Sequence, residues 1–418
     1  MHPRSAPLLA VLLTLGVAAQ SPPPPIEAEP LLKVLVARGP SIAVHIDREV
    51  RLETPAGFLK LAAATHVFEA RGEGWGVSGS DLSFEDTGLL PGQGRPIFRV
   101  DATPLFGEPR RLRLAGDLLV HAAAGQVEVI ERLPMERYLA AVVAAEMNPG
   151  WPVQALAAQA IVARSYAAAR WMERNDEAWQ LHWHFGVDMA YPGWSEQHAS
   201  VARAIAPTRG EMLMYRGFPV LALFNASSGG LTEAFDRIKP GVLAPDRKTP
   251  IAAAMPVVED DAALPGAKGL ALSASHGRWK SDIPLPEVTS ALQRWSKAGQ
   301  GRPSFGTVEA VSILERHDDS LRVDTVSIRH RLDAKTRFQS LPATDFRMAV
   351  SPLRIRSTLW DRCVIASKAP GYLVLNGRGF GHGCGLSQVS AWYLAKKGAS
   401  AEAIVARFYS GAKIERRY

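Results

Sequence analysis

The sequence predicts an α+β fold in which β-rich lobes surround a helical block, with mixed or antiparallel sheets. Three observations carry this. Short β-rich runs broken by Gly and Pro occupy residues 31–130, an alanine-rich helical block follows over residues 135–174, and strands alternate with helices again after residue 210. The expected division is a leader over residues 1–19, a Pro-rich spacer over 20–30 and an N-terminal β-rich lobe over 31–130. A helical block with an SSGG loop then spans 131–236, and a C-terminal α+β lobe with a glycine-rich GHG loop spans 237–418.

The leader has the three parts of a secretory signal. Arg4 supplies the positive start, residues 7–17 the apolar core, and Val17 and Ala19 suit cleavage before Gln20. Its apolar run is shorter than the ~20 residues a membrane span needs. Export is therefore expected, to the periplasm or outside the cell, with no integral membrane segment after cleavage. SPPPPIEAEP reads as a stiff extended spacer.

The runs LKVLVA, SIAVHI, LLVHAA and QVEVI read as strands of a mostly antiparallel lobe without a reactive cluster. The first helix of the next block carries Tyr138, Leu139, Val142 and Val143 ahead of Glu146, and NPGW breaks it. Pro152 suits the first position of the second helix, where a missing N–H costs nothing. On that helix Gln159 and Tyr166 share a face, whereas Arg164 lies roughly 140° round from Gln159 at ~100° per residue. Further on, EMLMYRG and FPVLALFNAS read as strands and residues 238–268 as loop. SDIPLPEVTSALQRWSKAG reads as a capped helix, VEAVSILER and RVDTVSIRHR as paired strands, and the end as a glycine-rich loop leading into two helices.

Composition narrows the function. The 418 residues hold 48 Lys and Arg against 41 Asp and Glu, a net charge of +7 spread along the chain. Nucleic acid is not an expected partner, while an anionic polymer such as a cell wall is compatible. Export permits a disulfide between Cys363 and Cys384, the two cysteines, but their spacing fixes no geometry. Two thiols do not make a cysteine-rich zinc site.

Glu146 is the most informative residue. Val142, Val143, Ala144 and Ala145 precede it and Met147 follows, and a carboxyl removed from water holds its proton to higher pH. Such an acid can protonate the bridging oxygen of a glycoside; the alternative is a Glu at a helix end turned to solvent. GRGFGHGCGLSQ offers bare backbone together with His382, Ser387 and Gln388, but lacks the Lys-Ser or Lys-Thr pair of a phosphate loop. It is equally a tight structural turn. SSGG supplies Ser227 and Ser228 beside Thr232 and Glu233, without the GxSxG of a serine nucleophile. His182, His184 and His198 lie in a Trp-rich stretch with Asp188 and Glu196. HWH is a conceivable metal pair, but its spacing matches no strong zinc pattern and favours surface or core histidines.

Together, and in this order, LPMERYLAAVVAAEMNPGWPVQALAAQAIVARSYA, FNASSGGLTE, RVDTVSIRH, FRMAVSPLRIRST, GRGFGHGCGLSQ and FYSGAKI resemble the SpoIID/LytB family of bacterial cell-wall proteins. The resemblance implies a peptidoglycan lytic transglycosylase acting on glycan strands, preferably stripped of stem peptides, with Glu146 as the single catalytic acid and base. It implies substrate contacts at Gln159, Arg164, Ser165, Tyr166, Ser227, Ser228, Thr232, His382, Ser387 and Gln388. Some members hold zinc through Cys and His between the helical and SSGG blocks. This chain has GVDMAYPGW there, without a cysteine, so no zinc is expected at that position and no cofactor is called for; Met189 also stands where Gln is usual. Two rival readings follow. One is a non-catalytic wall-binding modifier of a cell-wall amidase; the other is a hydrolase using Asp188, Glu211, Glu233 or Asp236 as a second carboxylate.

Overall fold

The computed structural model describes residues 26–418 except 96, 105–107, 196–197, 245–247, 249, 264–276 and 367–370. The leader, most of the spacer and Glu196 lie outside the described residues. The fold is α+β and rich in strand, as expected.

Two sheets form the N-terminal part. In one, Leu31–Gly39 pairs antiparallel with Gln126–Pro134, which pairs with Asp117–Ala123; Leu181–His182 joins the free edge of Leu31–Gly39 in parallel. In the other, Ser41–Ile46 lies between Phe98–Ala102 and Thr65–Arg71. Alternation of side chains in these strands turns Val34, Val36, Val44, Phe68 and Val129 inward, and the two sheets pack on each other through that face.

Strand Gln126–Pro134 runs directly into helix α1, Met135–Glu146, which buries Tyr138, Leu139, Val142 and Val143. Helix α2, Val153–Glu173, follows after the NPGW turn, with Pro152 just ahead of its first turn as the N-cap residue. Almost every position of α2 is buried, charged ones included. Its alanines let α1, helix Ala199–Ile205, strand Glu211–Tyr215 and the C-terminal helices Gln388–Lys396 and Ala401–Phe408 approach from all sides. The last strand, Lys413–Arg416, completes this packing by pairing antiparallel with Glu211–Tyr215.

Apolar burial thus gathers residues from distant parts of the chain into one core that includes α2, from Ile26 to Tyr409. A second core runs from Trp279 to Leu375. There the amphipathic helix Leu285–Lys297 and the short helix Ala343–Val350 pack on two three-stranded antiparallel sheets, which include the expected pair Thr307–Arg316 and Val323–Leu332. Cys363 lies at this second core, partly buried, and Cys384 is fully buried in the glycine-rich loop; the two are not bridged.

Candidate active site

Glu146 is the last residue of α1, and Met147 leaves the helix in extended conformation while its N–H still bonds Val143 O at 3.0 Å. Asn148 then turns the chain, accepting the Gly150 N–H on its side chain at 2.8 Å. The turn directs Glu146 into a cleft, where it keeps limited solvent access while protein encloses its carboxyl almost completely. The Ala190 N–H donates to Oε1 at 2.7 Å, and the Gln388 side chain donates as well. Burial raises the Glu146 pKa to about 7, against the pull of these two donors. The negative end of the α1 dipole acts in the same direction as burial. Near neutral pH the group is therefore poised to give a proton and to take one back.

The opposite wall comes from two segments distant in sequence. Phe224–Asn225 pairs in parallel with Leu386–Ser387, Ser227 bridges Phe380, and Glu233 bridges Cys384. The SSGG segment and the glycine-rich loop thus lie side by side. The glycines serve this contact: Gly379 has φ +79 and a Cβ there would come within 2.7 Å of Ser227 O, and at Gly385 it would come within 1.9 Å of Leu223 O. They admit protein backbone, which is the structural reading of that loop. His382 Nδ1 accepts the Cys384 N–H at 3.0 Å and the ring also serves the Phe224 carbonyl. Burial, followed by Arg347, Arg322 and Lys239, depresses its pKa to about 3, so the ring is neutral. It shapes the wall and is a poor base.

The cleft between these walls has a volume of about 440 Å³ and is completed by Thr344, Arg347 and Thr358 from the second core. A larger cavity of about 530 Å³ lies against another face of α1, lined by Arg137, Tyr191 and Trp194; Glu146 does not line it. We take the smaller one as the site, because it holds the carboxyl with the raised pKa.

Comparison with known proteins bears on this site. A family model described as Stage II sporulation protein (SpoIID) matches residues 123–215, which include α1, α2 and Glu146. A stage II sporulation protein D of Bacillus amyloliquefaciens is 26% identical over 311 residues, 68% of this chain and 75% of its own. An amidase enhancer of Bacillus subtilis is 25% identical over 296 residues, 65% of this chain and 39% of its own. The similarity to the SpoIID family thus covers the segment that carries Glu146. An uncharacterised protein of Brachyspira hyodysenteriae is also similar, 25% identical over 291 residues and 68% of each chain. A domain of unknown function (DUF8618) matches residues 268–385, the span of the second core.

Of the positions that the SpoIID/LytB resemblance marked, Glu146, Tyr166, His382 and Gln388 line the cleft. Gln159 lies one layer behind: its Oε1 accepts from Gln388 Nε2 at 3.4 Å, and its own Nε2 has no partner among the described residues. Arg164 is not at the cleft. Both Glu136 oxygens hold its guanidinium at 2.8 Å, and Glu211 O accepts from it at 2.7 Å, which is the internal ion pair. Ser165 donates to Ile161 O and accepts the Leu213 N–H, joining α2 to its neighbouring strand. Ser227 accepts the Gly229 N–H, and Thr232 exchanges hydrogen bonds with Val258. Ser228 and Ser390 both donate to Asp260 Oδ2, at 2.6 and 2.7 Å, and Ser387 contacts Ser390 at 3.0 Å. These serines tie the SSGG loop to helix Gln388–Lys396 behind the cleft wall.

Sequence reasoning missed Asp260, the buried acceptor at the centre of that knot, which lies in a stretch read only as loop. It also missed Lys239 and Arg347 as lining residues. Among the proposed second carboxylates only Asp188 lines the cleft. Its side chain is fully buried and committed: Tyr166 OH donates to it at 2.7 Å, the His182 N–H at 2.8 Å, and Arg170 and Arg174 flank it. Glu233 is held by Arg237 and Ser320, Glu211 pairs with Arg416, and Asp236 is exposed. His182 and His184 accept backbone N–H groups of residues 184 and 186 on their Nδ1 atoms. Among the described residues, no group of three or more His, Cys, Asp or Glu is arranged to hold a metal ion.

Proposed function

We propose that the chain is a peptidoglycan lytic transglycosylase with Glu146 as its one acid and base. The observation that supports this is the enclosed carboxyl with pKa near 7 lining a cleft, with no uncommitted second carboxylate lining it among the described residues. The protonated Glu146 gives its proton to the oxygen linking N-acetylmuramic acid to N-acetylglucosamine, and the C1–O bond breaks. The resulting carboxylate then takes the proton from the muramoyl 6-hydroxyl while O6 bonds to C1, leaving a 1,6-anhydro end and the restored acid. No water is consumed, so one carboxyl suffices. The reading includes an exported protein working at the cell wall, in keeping with the leader-like start of the sequence. No helix among the described residues is long and apolar enough to cross a membrane.

A second reading is favoured by the similarity to the amidase enhancer: a wall-binding protein that acts on a cell-wall amidase and cuts nothing itself. Product analysis separates the two. Purified protein incubated with peptide-free glycan strands releases anhydro-ended fragments, seen by mass spectrometry, if the first reading holds. Reducing ends would mean hydrolysis and reject it. Binding without release, together with faster amidase turnover, would favour the second.

A further inference from the structure

Lys239 and Arg347 both line the Glu146 cleft, from opposite sides of the boundary between the two cores. The Lys239 ammonium is half-buried and has neither a hydrogen bond nor an ion pair among the described residues. The charges around it are Arg170, Arg174, Asp188 and Glu173. Asp188 is already shared by Arg170, Arg174 and the Tyr166 hydroxyl, and Glu173 is paired with Arg170, so neither neutralises Lys239. Arg347 spends its donors on neutral atoms, Ile355 O at 2.7 Å, Pro352 O at 3.2 Å and Met348 Sδ at 3.6 Å. Its charge meets no carboxylate among the described residues. Both cations oppose protonation of His382, which places them around the same stretch of wall. Two partly desolvated, unneutralised cations facing one cavity are costly to keep, and an anion arriving between them repays the cost.

We propose that Lys239, backed by Arg347, forms an anion subsite that takes the free lactyl carboxylate of the muramoyl residue. The inference rests on the peptidoglycan reading above. The muramoyl sugar is the one whose C1 that chemistry places next to Glu146, and its lactyl group is the acid carried on the same ring. An amide-linked stem peptide removes that charge and enlarges the group, so Lys239 discriminates between bare and peptide-bearing sugars. Because Arg347 belongs to the region matching the domain of unknown function, that region contributes directly to substrate selection.

The test uses the full chain carrying Glu146→Gln, so that binding is read without cleavage. Titration calorimetry compares a tetrasaccharide of alternating N-acetylglucosamine and N-acetylmuramic acid, as free acid, with its lactyl methyl ester. The free acid binds roughly tenfold more tightly, as one charge-assisted contact predicts. Adding Lys239→Gln erases that preference without changing ester binding, and adding Lys239→Arg restores it. Equal affinities for acid and ester, equal weakening of both by Lys239→Gln, or no binding of the acid would each overturn the subsite. Should the acid preference stand while wild-type protein makes no anhydro ends, the transglycosylase reading alone fails.

Discussion

The Ala190 N–H meets the Glu146 carboxylate at 2.7 Å, so the loop after Leu181–His182 fixes the side chain that ends α1. Asp188, two residues earlier, is anchored by Arg170, Arg174 and Tyr166 of the α2 region, and Tyr191, one residue later, stacks on Tyr138 of α1 at 5.0 Å. The catalytic candidate is therefore held by a loop that is itself pinned on both sides, which is how a side chain on a helix end acquires one orientation.

Replacing Glu146 by Gln keeps size and a polar end while removing the transferable proton. Release of anhydro-ended fragments is expected to fall by about 10²–10⁴ or more, with glycan binding within a few-fold of wild type. Fragment analysis and calorimetry on one preparation check both parts.

The raised pKa also makes Glu146 a cost to folding. Its folded pKa is about 7, above its unfolded value near 4.5, so between these pH values the folded state holds the proton that the unfolded state has lost. Stability from this group is then greatest below pH ~4.5 and declines as pH rises through about 7, by at most about 3 kcal/mol. Glu146→Gln is expected to stabilise the protein at pH 8 and to change little at pH 4.5. Denaturant unfolding of both proteins at the two pH values measures the difference. Catalysis that starts from the acid form declines over the same alkaline limb.

Gln388 donates to the ionised form of Glu146 and so holds its pKa down. Gln388→Leu removes that donor, and the alkaline limb of kcat/KM moves to higher pH, by about half a unit to one unit. A limb that stays in place while kcat falls would assign Gln388 to substrate contact alone.

Arg322 joins the two cores. Its Nη2 donates to Ser228 O at 2.6 Å and to Leu231 O at 3.0 Å, and burial lowers its pKa to about 10. Arg322→Ala strands one buried and one partly buried carbonyl and costs roughly 2–5 kcal/mol. Equilibrium unfolding in urea reads this loss, and proteolysis locates it at the SSGG loop.

Much of this was legible in the sequence, because local pattern encodes it. The strands LKVLVA and QVEVI, the break at NPGW and the apolar run before Glu146 all carry their periodicity or punctuation on the chain. The partners of Glu146 do not. Ala190 contributes a backbone N–H that no side chain announces, and Gln388 arrives from residues more than two hundred positions away. Arg164 illustrates the opposite limit: its place on α2 was readable, but only the buried Glu136 explains what it does. Asp260 was invisible because three serines from two distant segments meet it only after folding.

The two-residue parallel pairing of Phe224–Asn225 with Leu386–Ser387 spans the whole second core in sequence. Contacts that distant form late, since the intervening chain must first be ordered. A nascent chain that has released α1 and α2 from the ribosome already owns its acid but has no opposite wall. The cleft is thus incomplete until the chain has been made through Gln388, and a product terminated earlier lacks the wall that faces Glu146.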